Sequence, residues 1–433
     1  MMEVFKAVTC PVCACLCDDL EVTVDKGKIV DVKNGCAFSK SKLLNYNGKQ
    51  RVLKPLIRKG NDFAEVSYDE AVKQAAKLLT EANYPLFYGW SMTSCEAIRV
   101  GIELAEEIGG VIDTTSTICH GPSTLGIQDV GLVSSTLGQV RHRADLIIYW
   151  GSNPLIAHPR HMERYTVFSK GRFQEKRKLV VVDVRETETA KKADLFIRIE
   201  PNKDFEVLQA LRVLIRDDEL DVEKVAGIPV ATLEKLAEMM VECKFGALFF
   251  GSGLTMTEGK NRNVDAAISL IRDLNRITKF IIMPMRGHFN VTGADMVFTW
   301  QTGFPYAVDF SMGYPRYNPG ETSAIDILLR QESDAALVVA SDPVATLPRK
   351  AAEHLVKNPL IVVDPHMSAT AKLADIVLPS TFVGIEAKGT AYRMDNVPLP
   401  LKKIVEPPTG ILSDEDILSK ILFEVRRLKE NAS

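Results

Sequence analysis

Four cysteines open the chain in the pattern Cys10-x2-Cys13-x3-Cys17, with Cys36 further on, and five of the eight cysteines fall within the first 36 residues. A tight loop can hold three thiolates together while a fourth joins from outside it. Iron-sulfur clusters take four thiolates in uneven layouts of this kind. Structural zinc is usually held by two Cys-x2-Cys pairs, and Cys36 has no such partner. The spacing therefore favours a [4Fe-4S] cluster over zinc, and a reducing compartment favours metal over disulfides. Cys15, inside the loop, competes with Cys13 and Cys17 as a ligand, and spacing favours Cys17. Lys40 and Lys42, just past the fourth cysteine, could hydrogen-bond cluster sulfurs or lie between the cluster and a neighbouring cofactor, but lysines there are more often only solvated, and neither is placed in the site.

Two further spots carry chemistry. Cys119 lies in the polar, turn-rich stretch Thr117-Ile-Cys-His120-Gly-Pro-Ser123. A thiolate beside an imidazole suits a nucleophile or a soft metal ligand with a proton-transfer partner. Cys95 and Cys243 have no such company and read as core. Arg286 follows an apolar strand, Lys279 to Met283, and precedes Gly287. From a strand end it can grip a small carboxylate with a forked pair of hydrogen bonds, or serve as an interdomain ion pair.

The elements that must position these residues alternate. Short Val/Ile/Leu runs such as Leu179 to Asp183 and Leu360 to Asp364 take turns with amphipathic stretches such as Ala97 to Ile108 and Val264 to Ile277. That is the pattern of α/β units with parallel strands. The chain also repeats itself. Asp145-Leu-Ile-Ile-Tyr-Trp-Gly151-Ser152-Asn153-Pro154 matches Asp334-Ala-Ala-Leu-Val-Val-Ala-Ser341-Asp342-Pro343. Val181-Val-Asp183 and Thr189-Ala-Lys-Lys-Ala-Asp194 match Val362-Val-Asp364 and Thr370-Ala-Lys-Leu-Ala-Asp375, identical at all but one position and with the same gap. Leu86-Phe-Tyr-Gly89 pairs more weakly with Leu248-Phe-Phe-Gly251. Two related Rossmann-like modules follow. In open α/β sheets a ligand lies beyond the carboxyl ends of the strands, so the Ser-Asn/Asp-Pro turns would face phosphate or ribose, and Asp183 and Asp364 a base or sugar.

Composition excludes several classes. Hydrophobic residues at 46%, charged residues at 25% and a net charge of −3 describe an average soluble chain of 433 residues, not a disordered or nucleic-acid-coated one. The apolar runs are far shorter than the roughly 18 to 20 residues of a membrane span. The N-terminus shows no apolar leader, cleavage site or twin arginine, so a cytoplasmic location is expected.

Taken together, these residues resemble the molybdopterin oxidoreductases, the family that includes formate dehydrogenases and nitrate reductases. The carriers are the N-terminal cysteines, Cys119-His-Gly-Pro-Ser123, Trp150-Gly-Ser-Asn-Pro154, Val182-Asp-x-Arg185, Arg286-Gly-x-x-Asn-Val-x-Gly-Ala-Asp295 and Ser341-Asp-Pro343, in family order. Within the family the chain is similar to the formylmethanofuran dehydrogenase branch, through Cys17-Asp-Asp19, Asn318-Pro-Gly-Glu-Thr-Ser-Ala-Ile-Asp-Ile-Leu328 and Lys388-Gly-Thr-Ala-Tyr-Arg-Met-Asp395-x-Val-Pro398.

The resemblance implies an α/β fold with a small cluster domain over residues 1–58, joined by part of 291–330. It implies one pterin-binding module over 59–135 and 331–400, a second over 136–290, and a helical C-terminal tail over 401–433. The family's closing β-barrel is expected on a separate subunit. Two molybdopterin guanine dinucleotides would bind the modules at Gly151, Ser152, Asn153, Pro154, Asp183, Arg185 and Gly253, and at Ser341, Asp342, Pro343, Asp364 and His366. Their dithiolenes would hold one tungsten or molybdenum, with Cys119 as the protein ligand. His120 would shuttle the proton and Arg286 would orient CO2 or formate. The [4Fe-4S] cluster would sit on Cys10, Cys13, Cys17 and Cys36. Partners would be the barrel-like pterin-closing subunit, an amidohydrolase-like subunit that condenses formate with methanofuran, and ferredoxin-like subunits. The alternatives are a stand-alone formate dehydrogenase and a cofactor-poor scaffold subunit.

Overall fold

The apolar runs are buried on both faces, as in Leu146–Trp150, where all five residues are buried, and such strands need helices on either side. The computed structural model describes residues 2–432 and forms two units. The first comprises the chain up to Ile118, His288–Arg393 and the stretch from Pro398 onward; the second comprises Cys119–Gly287 and Met394–Val397.

The second unit is built on five parallel strands in the spatial order Leu195–Arg198, Lys178–Asp183, Leu146–Trp150, Phe245–Phe250, Lys279–Pro284. Chain direction reverses across the sheet between Leu146–Trp150 and Phe245–Phe250, which makes their carboxyl ends the ligand-binding crevice of this topology. Helices Asp204–Leu214, Val230–Glu242 and Lys260–Leu274 supply the apolar cover.

The first unit centres on five parallel strands, Ile376–Leu378, Leu360–Val363, Ala336–Val339, Leu86–Gly89 and Val111–Thr114, in that spatial order. Position by position this is the second unit's order, but the last two strands come first along the chain. The sheet is wider and mixed: Leu56–Lys59 with Asp62–Glu65, and Val308–Asp309 with Arg316–Tyr317, extend its two edges antiparallel. Ser67 caps helix Tyr68–Glu81, with Asp69 and Glu70 in its first turn, where carboxylates favour the helix dipole. Gly109, at φ +86°, ends helix Cys95–Ile108 with the left-handed turn that glycine adopts without strain. An antiparallel sheet of Met2–Val8, Leu20–Asp25 and Lys28–Lys33 carries the N-terminal cysteines.

Four expected boundaries move. The division expected after residue 135 falls at Ile118, because helix Gly121–Val130 packs on Lys260–Leu274, with Gly126 so close to Val264 that a Cβ would come within 2.9 Å. The second module's expected end at residue 290 falls at Gly287. Residues 291–330 join the first unit's sheet: helix Val291–Thr302 packs on Cys95–Ile108, and Val308–Asp309 pairs with Val111–Thr114. The expected tail is core, since helix Asp414–Ala432 packs on Tyr68–Glu81 and Cys95–Ile108 and buries Ile417, Leu418, Ile421 and Val425. Among the described residues no helix is long and apolar enough to cross a membrane.

Candidate functional site

In the first unit a turn closes the cysteine loop, with Cys10 N donating to Cys17 O (2.9 Å) and Leu16 N to Cys13 O (3.0 Å). Cys36 joins from the N-cap of helix Ala37–Asn45, its sulfur accepting from Ser39 N. Burial pushes the Cys10 thiol well up, and Cys17, Cys13 and Cys36 push it the same way. Cys15 is buried and hydrogen-bonds Cys13, which draws the Cys13 thiol down. Among the described residues no three His, Cys, Asp or Glu side chains converge closely enough to hold a single metal ion.

Beyond the carboxyl ends of Ala336–Val339 and Leu360–Val363, still within the first unit, lies a cavity of about 810 Å³, the size range of cofactor sites. Ser341, Asp342, Asp364 and His366 line it, together with Lys42, Thr381, Phe382 and Asp414. Burial pushes the Asp364 carboxyl up to about 7 and the Lys42 ammonium down. Asp364 accepts from His366 N at 2.7 Å, and the His366 ring reaches Tyr46 O at 3.1 Å. Thr381 Oγ1 is buried without a hydrogen-bond partner, which is costly unless a ligand supplies one.

In the second unit Gly151, at φ +55°, brings its backbone against Gly253: a Cβ on Gly151 would lie 2.6 Å from the Gly253 carbonyl carbon. Only glycines permit two strand-end loops to approach so closely. Ser152 is buried and donates to Met285 Sδ (3.1 Å). Pro154 starts the short helix Pro154–Ala157, while Asp183 ends its strand with burial pushing its carboxyl up and its side chain accepting from Arg185 N. Arg185 itself is exposed.

Cys119 is half-buried, its carbonyl accepting from Thr255 Oγ1 at 2.9 Å. His120, at the N-cap of Gly121–Val130, is buried with Nδ1 2.8 Å from Ser123 Oγ and Nε2 3.2 Å from Met285 O. Burial, with the Arg286 charge adding to it, pushes His120 down to about 3. A second buried imidazole, His158, places Nε2 2.7 Å from Arg286 O. Because carbonyls only accept, both rings carry their proton on Nε2, and together they clamp the consecutive carbonyls of the strand end that bears Arg286.

The structure adds residues that spacing did not single out. Lys42, read as solvated, is enclosed, with Nζ 3.2 Å from Pro11 O and its charge felt by Cys10 and Asp364 alike. His158, Thr381 and Asp414 had no motif to announce them; each matters through distant chain neighbours. Asn153 and Asp342 each also tie their own repeat together. Thr189 Oγ1 donates to Asn153 Oδ1 at 2.7 Å, and Thr370 Oγ1 to Asp342 Oδ1 at 2.6 Å. Arg216, Glu234 and Asp273 border a larger recess of about 1060 Å³ in the second unit, which contains none of the expected site residues.

Parallel-sheet crevices, a loop of N-terminal cysteines and a strand-end arginine flanked by carbonyls held by two buried imidazoles are the features the two units offer. A family model described as molybdopterin oxidoreductase matches residues 51–423, and the chain belongs to that family. It is 50% identical to a component chain of the tungsten-containing formylmethanofuran dehydrogenase 2 of Methanocaldococcus jannaschii, over 99% of this chain and 100% of that one. The corresponding Methanococcus maripaludis protein is 46% identical over the same shares. Among solved structures, the formyltransferase/hydrolase complex of Methylorubrum extorquens bound to methylofuran has a chain with the same fold: TM-score 0.71, 21% identity, 88% of this chain and 100% of that one covered.

Proposed function

We propose that this chain is the catalytic subunit of a cytoplasmic formylmethanofuran dehydrogenase that reversibly reduces CO2 to formate. The carrying observation is the 50% identity, over nearly its whole length, to a component of a tungsten-containing enzyme of that name. Three thiols in one tight loop and a fourth from outside it suit a [4Fe-4S] cluster better than structural zinc, which usually takes two Cys-x2-Cys pairs. Cys10, Cys13, Cys17 and Cys36 would hold it, leaving Cys15 to support Cys13.

One pterin guanine dinucleotide per unit would bind Ser341, Asp342, Pro343, Asp364 and His366 in the first, and Gly151, Ser152, Asn153, Pro154, Asp183, Arg185 and Gly253 in the second. The unpartnered Thr381 hydroxyl and the glycine cradle fit such ligands. Cys119 would bind tungsten or molybdenum, which supplies two-electron redox chemistry. Arg286 orients the formate carboxylate from between the two peptide groups that His120 and His158 hold. His120, kept neutral by burial with its proton on Nε2, would be the proton-transfer partner beside Cys119, passing a proton on rather than storing it as an imidazolium near Arg286. Partners would be an amidohydrolase-like subunit that condenses formate with methanofuran, a barrel-like pterin-closing subunit and ferredoxin-like subunits.

The test is metal and pterin analysis of the protein purified with its native partners, alongside a Cys119→Ala variant assayed for formate oxidation. About four irons, and about one tungsten or molybdenum to two pterins per chain, are expected, with activity lost in the variant. Iron without heavy metal or pterin, or an active variant, would leave a scaffold subunit instead.

A further inference from the structure

In the second unit the chain runs from 166 to 177 without regular structure, between helix His161–Tyr165 and strand Lys178–Asp183. Irregular segments of about this length are uncommon inside compact units and are usually functional or disordered. This one is built. Arg177 turns its guanidinium inward onto five carbonyls, those of Arg141, Ala144, Thr166, Ser169 and Gln174. Gly171 lies so close to this knot that a Cβ would sit 2.3 Å from Gln174 O. Phe173 N and Arg172 N are tied to His142 on the neighbouring helix Leu137–Arg143.

What this scaffold presents is unusual for a chain of net charge −3. Phe168 and Phe173 are 52% and 61% exposed. On the loop and its flanks Arg141, Arg143, Lys170, Arg172, Lys176 and Lys178 are all exposed, and none of the six has a carboxylate at ion-pair distance among the described residues, although Lys176 and Lys178 also border a recess with Asp145 and Glu242. Glu175 is the single acid in the loop. Exposed apolar side chains rimmed by uncompensated charge mark recognition surfaces. Arg143 and Arg172 already lie over the Phe173 ring, 4.8 and 5.5 Å from its centroid, where a nucleic-acid base would have to stack. That favours a protein partner.

We infer that the loop from 166 to 177, with the end of helix Leu137–Arg143, docks an acidic surface of another subunit, its carboxylates meeting the six cations around an apolar contact at Phe168 and Phe173. This rests on the multi-subunit reading above.

The test is zero-length carbodiimide cross-linking of the wild-type assembly, which joins lysines to carboxylates in direct contact. In parallel, partner retention is compared with a Lys170→Glu/Arg172→Glu/Lys176→Glu variant at low and high ionic strength. Expected are links from Lys170, Lys176 or Lys178 to Asp or Glu of another subunit, and about tenfold or greater weakening of partner binding in the variant at low salt. Formate oxidation by the variant chain with an artificial acceptor should be unchanged. An assembly without those links, whose variant holds its partners as tightly, overturns the docking surface while leaving the multi-subunit reading intact. A wild-type chain that purifies alone removes both. Nucleic acid co-purifying with wild type and lost from the variant overturns the protein partner. If the variant fails to fold, the wild-type cross-links decide.

Discussion

The two units share one strand order and build their crevices by different means. The second is nearly continuous in sequence, has a purely parallel five-stranded sheet, and shapes its crevice with backbone: Gly151 against Gly253, and two imidazoles on consecutive carbonyls. The first is assembled from three stretches of chain, mixed at both edges, and lines its crevice with titratable side chains, Lys42, Asp364, His366 and Asp414. Beneath that crevice lies a buried ion pair, Arg51 with Glu386 at 2.7 Å, the side chains 3% and 1% exposed. Burial pushes Glu386 up and Arg51 down, against their mutual attraction. One topology thus admits a cradle made of close approach and a cradle made of charge, and the two should fail differently.

The largest effect is expected in the first unit. Arg51→Ala leaves Glu386 as a buried charge without its counter-ion and should cost about 3–5 kcal/mol, whereas Arg51→Met with Glu386→Leu should be far closer to neutral. Denaturant unfolding compares the two; equal losses would mean packing, not charge, holds this wall. In the second unit Gly151→Ala forces a side chain into a positive-φ position against backbone that cannot withdraw, an expected loss of about 1–3 kcal/mol. Hydrogen exchange should localise that loss to the second unit, and a loss spread evenly over both units would erase the contrast.

A pH effect distinguishes the charged cradle further. Asp364 is pushed up to about 7 in the folded chain, against about 3.9 when unfolded. Its contribution is therefore fully present below the unfolded value and is lost as pH rises through about 7. Thermal midpoints should decline less steeply across that window in Asp364→Asn than in wild type, and identical slopes would argue against the raised carboxyl. The smallest effect concerns helix ends. Ser67 caps a first-unit helix, while the second unit's three longest helices have no side-chain cap. Ser67→Ala should cost about 1 kcal/mol by thermal unfolding.

Much of the fold was legible because local chemistry dictates it. The repeat located equivalent strands, since Asp194 and Asp375 each accept from the amide that starts the neighbouring strand, Leu179 N at 2.7 Å and Leu360 N at 2.9 Å. The boundaries were not legible, because helix Gly121–Val130 looks much the same whichever sheet it packs against. Among the site residues, the cysteine spacing was legible because three of the four fall in one tight loop, which Cys10 N closes on Cys17 O. Lys42 escaped because a lysine's sequence neighbours say nothing about what encloses its ammonium. Asn153 and Asp342 were expected to face ligand because the repeat made them visible, and the same repeat explains why they are also tied to Thr189 and Thr370.

The sequence by itself determined which segments become buried strands, where glycines must lie for backbone to meet backbone, and which residue types could bind iron, a soft metal or a carboxylate. These are properties of short stretches, set by periodicity, propensity and side-chain chemistry. Only the tertiary structure decided that a C-terminal helix completes the first unit's core, that His120 and His158 hold the two peptide groups flanking Arg286, and that Arg51 meets Glu386. Each of those depends on residues far apart along the chain reaching bonding distance, and that distance is set by the packing of whole elements.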